Sequence, residues 1–238
     1  MADAQNHPRR PARLPGRVLL TGVSSGIGAA TARHLLEQGW EVVGLSRRPP
    51  EIAHPALNWV EVDLVAQSAL EVALDAIGPV DAIVHAAGIL RPGTLDTLSR
   101  DDGWMMWRLH VDAATQIVAR LAPALPKGGR IVLIGSRTAA GSPGRSQYAA
   151  SKAALLALAR SWAKELVEAQ ICVNVVAPGA TDTPMLSDPN RAGLAPSTPP
   201  MGHFVDSAEI AATVSFLLSP ELKSLTGQQI VVCAGASL

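Results

Sequence analysis

The segment SQYAASKAALLALAR, residues 146–160, carries Tyr148, the one tyrosine of a 238-residue chain, and four places later Lys152. Helical residues four apart lie one above the other on one face, so phenol and ammonium are neighbours. A free phenol, with a pKa near ~10, gives up its proton too reluctantly for easy transfer at neutral pH. A nearby ammonium favours the phenolate and lowers that pKa, and a general acid or base works best with its pKa near the working pH. Tyr148 therefore reads as a tuned phenol that exchanges a proton with a substrate oxygen. Ser136 ends the apolar run RIVLIGS, a strand arriving at the sheet edge where ligands of such sheets bind. Its hydroxyl is suited to donate to a substrate carbonyl and stabilise the charge that develops there.

A second constellation follows the first apolar run. TGVSSGIG, residues 21–28, places Gly22, Gly26 and Gly28 around Ser24, Ser25 and Ile27. Glycine lets the backbone turn sharply and come close to a pyrophosphate, and the following helix aims its free N–H groups at the same place. A dinucleotide bound here would supply the hydride that Tyr148 complements with a proton. Ribose choice is made after the second strand, where an acid would bind the 2′-hydroxyl of NAD and an arginine would accept a 2′-phosphate. Ser46, Arg47 and Arg48 stand there, and a guanidinium binds phosphate bidentately. NADP(H) is the expected cofactor, with NAD(H) possible.

These groups need a frame. Short apolar runs at 17–21, 41–45, 59–62, 82–85, 130–135, 172–176 and 229–232 alternate with helix-like segments near 26–38, 68–77, 104–122, 147–169 and 207–218. Strands that are apolar on both faces lie between two helical layers, so the expected fold is α/β: one doubly wound parallel sheet of about seven strands flanked by helices. The polar N-terminus, residues 1–15, reads as a disordered tail, leaving 16–238 as a single domain. The proline-rich stretch 185–204 lacks any period and reads as a functional insert. Equal numbers of basic and acidic residues, 20 each, predict no attraction to nucleic acid or an anionic membrane surface. No apolar run reaches membrane-spanning length, and Cys172 and Cys233 read as small buried residues of a reducing, cytoplasmic compartment.

TGVSSGIG, YAASK (148–152) and PGATDT (178–183) together resemble the TGxxxGxG, YxxxK and PGxxxT motifs of the short-chain dehydrogenase/reductase family, over nearly the whole chain. The resemblance implies a Rossmann-like oxidoreductase acting on a carbonyl or alcohol, with a 3-oxoacyl or small cyclic ketone as the natural substrate subclass and a homodimer or homotetramer built on the helices that hold Val111–Leu125 and Tyr148. It implies that Lys152 also binds the nicotinamide ribose, that Asp63 and Leu64 lie near the adenine, and that Ala86, Ala87 and Gly88 flank the adenosine ribose. Pro178, Gly179 and Thr181 would shape a turn beneath the nicotinamide, and Thr183 would contact its carboxamide. Residues 185–204 would form a substrate lid, with Met185, Leu186 and Phe204 as an apolar wall. No metal is expected.

The chain departs from the family pattern in three places. His85 and Ala86 replace two asparagines, Cys233 replaces an aspartate near the C-terminus, and the fourth catalytic position falls on His110 rather than asparagine. Two readings of His110 are open: it presents only a backbone carbonyl that holds a water beside Lys152, or it titrates near neutrality and adds a pH dependence. A shift of two residues would instead put Asp112 there. Arg91, Arg137 and Arg145 stand on loops near the site, either solvated or facing an acidic substrate group. The rival to an enzyme is a dinucleotide-binding sensor or scaffold that kept the fold and lost turnover.

Overall fold

The structure is a computed structural model and describes residues 15–188 and 197–238. The expected tail, apart from Pro15, and residues 189–196 of the expected lid lie outside the described residues.

Seven parallel strands form the main sheet: β1 (Arg17–Thr21), β2 (Glu41–Ser46), β3 (Leu57–Glu61), β4 (Ala82–His85), β5 (Arg130–Ile134), β6 (Cys172–Pro178) and β9 (Gln229–Val232), in the order β3-β2-β1-β4-β5-β6-β9. Two short strands, β7 (Thr181–Asp182) and β8 (Val205–Asp206), pair apart from it. The strand order reverses beside β1, and a crevice opens there at the C-terminal strand ends.

Alternation along each strand feeds two cores. Leu19, Ile83, Ile131 and Leu133 face the layer of α2 (Gln67–Ala76), α4 (Ala113–Leu121) and α5 (Ser146–Glu165). Val18, Leu20, Val84 and Val132 face α1 (Gly26–Glu37) and α6 (Ser207–Leu218). The central strands are buried on both faces, which is why they read as unbroken apolar runs.

The helix expected over 104–122 is not continuous. It begins earlier, as α3 (Arg100–Trp107), passes through a π-helical turn at Arg108–Asp112, and resumes as α4. Ser99 starts α3 by accepting from the Asp102 N–H. The His85 ring donates from Nε2 to the Leu109 carbonyl within the π turn. The helix expected over 147–169 stops at Glu165, and Gln170 turns with φ 55° into β6. Cys172 is buried as expected, whereas Cys233 is only half-buried.

Candidate active site

A cavity of about 740 Å³ lies over the C-terminal ends of β1, β4, β5 and β6. The glycine turn forms one wall. Gly22 and Gly26 have φ of +77° and +54°, a region that penalises any side chain. A Cβ on Gly28 would stand 2.2 Å from the Gly22 carbonyl oxygen, so turn and helix can close only over a bare backbone. No side chain caps α1 at Ser25, and its first turn holds no acid. By contrast, α6 carries a full capping box from Asp206 and Glu209. An uncapped N-terminus between Ser24, Ser25 and Ile27 on the cavity wall suits an anion, so the residues fit a dinucleotide pyrophosphate.

At the far end of that wall Arg47 and Arg48 are exposed and make no ion pair among the described residues. Ser46 is buried beneath them. Its hydroxyl donates to the Arg48 carbonyl at 2.7 Å and accepts from the Trp59 indole at 3.0 Å. Ser46 thus shapes the loop that presents the arginines. Asp63, with Leu64 beside it on the wall, accepts from the Val65 N–H and so turns the chain after β3.

The chemistry-bearing side chains stand where β5 meets α5. Ser136 follows β5 and accepts from the Thr138 N–H at 3.1 Å, which leaves its own proton free to donate. Tyr148 and Lys152 share one face of α5 on the cavity wall. The Lys152 ammonium donates to the Ile134 carbonyl at 2.8 Å and lies 5.9 Å from the centre of the Tyr148 ring. Burial pulls Lys152 down to about 7, because the charged form is costly to desolvate. A Cβ on Gly88 would come within 3.4 Å of that ammonium and 3.2 Å of His110 Nε2, so only glycine fits comfortably there. Ala86, Ala87, Pro178, Gly179, Thr181 and Thr183 also line the cavity, with Thr183 against Gly26. Met185 and Leu186 reach it, whereas Phe204 is not among the described lining residues.

His110 is fully buried and not among the lining residues. Its Nε2 accepts from the Ile89 N–H at 3.0 Å. The Ser151 hydroxyl donates to the Tyr148 carbonyl, so His110 Nδ1 carries the proton and donates to Ser151 at 2.9 Å. A second proton on His110 would point at the Ile89 N–H. Burial first, then the charges of Lys152 and His85, hold the ring well below the ordinary imidazole value. This geometry speaks against titration near neutrality, and the His110 ring meets the Tyr148 ring edge-on at 5.7 Å.

The residues that sequence reasoning passed over belong to the same frame. The Thr21 hydroxyl accepts from the N–H groups of Ala86 and Ala87, both at 3.0 Å, and donates to His85 Nδ1 at 3.1 Å. Burial, with the Lys152 charge second, brings His85 down to about 3. The threonine before the first glycine and the serine inside YAASK were the available signals for Thr21 and Ser151.

A family model described as enoyl-(acyl carrier protein) reductase matches residues 22–237. The 3-oxoacyl-[acyl-carrier-protein] reductase of Vibrio harveyi is 33% identical over 93% of this chain and 98% of its own length. The chain belongs to the short-chain dehydrogenase/reductase family. This short-chain dehydrogenase/reductase is also 36% identical to the 2,3-dihydro-2,3-dihydroxybenzoate dehydrogenase of Escherichia coli, covering 93% and 96% of the two chains. A short-chain dehydrogenase from Burkholderia cenocepacia in complex with NADP superposes with a TM-score of 0.83 at 33% identity, covering 94% and 98%. The chain is accordingly an oxidoreductase that transfers hydride between a nicotinamide dinucleotide and a carbonyl or alcohol.

Proposed function

We propose that this protein reduces a ketone with NADPH, the substrate being of 3-oxoacyl or small cyclic type. The observation that carries the reading is the convergence of Ser136, Tyr148 and Lys152 on the cavity that the glycine turn also lines. The NADP complex of the Burkholderia relative and the name of the Vibrio relative support cofactor and substrate class.

NADPH, when bound, supplies the hydride. The α1 N-terminus would hold its pyrophosphate, Arg47 and Arg48 its 2′-phosphate, and Lys152 and Thr183 its nicotinamide half. Ser136 donates to the carbonyl oxygen and Tyr148 delivers the proton as charge develops there. Lys152 stabilises the phenolate left behind, and electrostatic attraction to the cofactor phosphates and that phenolate opposes the effect of its burial.

The outer face of α5 shows Ala150, Ala153 and Ala157 to solvent, a strip of small side chains on which a second copy can pack closely. We take the working form to be a cytoplasmic homo-oligomer joined there and through α4.

The test is consumption of NADPH and of NADH against ketones and 3-oxoacyl thioesters, with Tyr148→Phe as control. Turnover with NADPH should fall about 10²–10⁴-fold in the variant. Tight NADPH binding without turnover on any ketone, with the variant no different, would overturn the enzymatic reading.

A further inference from the structure

The substrate end of the cavity carries more positive than negative charge. Arg91, Arg137 and Arg145 line it, opposed by Asp188 alone among the described carboxylates there. Arg91 is engaged, meeting Asp188 at 3.6 Å and Asp102 at 3.9 Å. Arg137 and Arg145 form no ion pair among the described residues. The Nε of Arg145 is buried with no hydrogen-bond partner among them. A buried donor left unpaired is costly, and an acceptor reaching it from the cavity would offset that cost.

The backbone under Arg145 is fixed from both sides. Its N–H donates to the Ser142 carbonyl at 3.2 Å, the Gly93 N–H donates to the Gly144 carbonyl at 2.9 Å, and Gly93 and Arg145 form an isolated bridge. Arg145 immediately precedes α5, less than one helical turn before Tyr148. The side chain thus springs from a fixed backbone, and the planar fork of a guanidinium matches a carboxylate bidentately.

We propose that the ketone this enzyme reduces carries a carboxylate a few bonds from its carbonyl, and that Arg145 is the residue that selects it. Arg145 and Tyr148 stand three residues apart and line the same cavity, which favours a carboxylate on the substrate skeleton over the phosphates of a carrier thioester, many bonds further from the carbonyl. This inference rests on the ketone-reductase reading.

The experiment compares 4-oxopentanoate and 4-oxocyclohexanecarboxylate, each against its own methyl ester, in wild type, Arg145→Met and Arg145→Lys. The wild type should favour the acids at least tenfold in kcat/KM, chiefly through KM. Arg145→Met should lose that ratio and Arg145→Lys should keep part of it. A general folding defect lowers acid and ester alike and leaves the ratio intact. Equal use of acid and ester by the wild type, or a ratio unchanged in Arg145→Met, would overturn the proposal. Should no ketone turn over, calorimetry of 4-oxopentanoate on NADP-saturated protein separates the two readings. Binding that Arg145→Met abolishes sustains the carboxylate site while the reductase reading fails, and no binding sinks the site as well.

Discussion

Three buried bases set how this protein responds to pH. His85 and His110 are neutral and hydrogen-bonded in the fold, yet an unfolded histidine takes a proton below about 6.5. In the window from there down to about 3 for His85, unfolding binds a proton that the native state refuses, so stability falls as pH falls. Both histidines act in the same direction, so denaturant titrations should find the protein less stable at pH 5 than at pH 7, by a few kcal/mol at most. His110→Asn should flatten that slope and leave the pH dependence of kcat within pH 6–8 unmoved. Lys152 has the same sign in another window. With its value lowered to about 7, stability rises with pH from there toward the ordinary lysine value, since only the unfolded chain remains protonated. Lys152→Met should therefore abolish turnover and yet raise stability at pH 7, with the gain shrinking as pH climbs. The Tyr148–Lys152 pair was legible in the sequence because its geometry is local to one helix. The setting of His110 was not, because its partners Ile89 and Ser151 lie 21 and 41 residues away.

Among the elements, the turn from β1 into α1 bears the tightest constraint. Gly28→Ala would drive a Cβ into the Gly22 carbonyl and displace the helix end that would face the pyrophosphate. We expect that variant to lose NADPH binding in a fluorescence titration, while Tyr148→Phe keeps it. Strands buried on both faces announced themselves, because nothing but apolar side chains survives between two helical layers. Their ends did not, and β3 begins two residues before the expected start. β7 and β8, two residues each, are too short to leave a period in the sequence. The π turn was invisible for another reason: its Leu109 carbonyl is met by a histidine from β4, a contact between elements rather than within one.

For the molecule as a whole, the cofactor should act as a folding ligand. NADPH at a hundredfold excess over its Kd should stabilise the native state by about 2.7 kcal/mol, read as a concentration-dependent rise in Tm. Reversing Arg47 and Arg48 together to glutamate should lower the NADPH-over-NADH preference about ten- to a hundredfold, with kcat on NADH retained. No helix among the described residues is long and apolar enough to cross a membrane. β7 and β8 also say something about how such a molecule diversifies. Thr181 pairs with Val205 and Asp182 with Asp206, so β7 and β8 form one small clasp beside the sheet. Closing a longer or shorter excursion on a fixed clasp changes the free energy only slowly with length. The connection between the two strands is thus a place where chain length can change while the glycine turn after β1 and the phenol on α5 stay as they are.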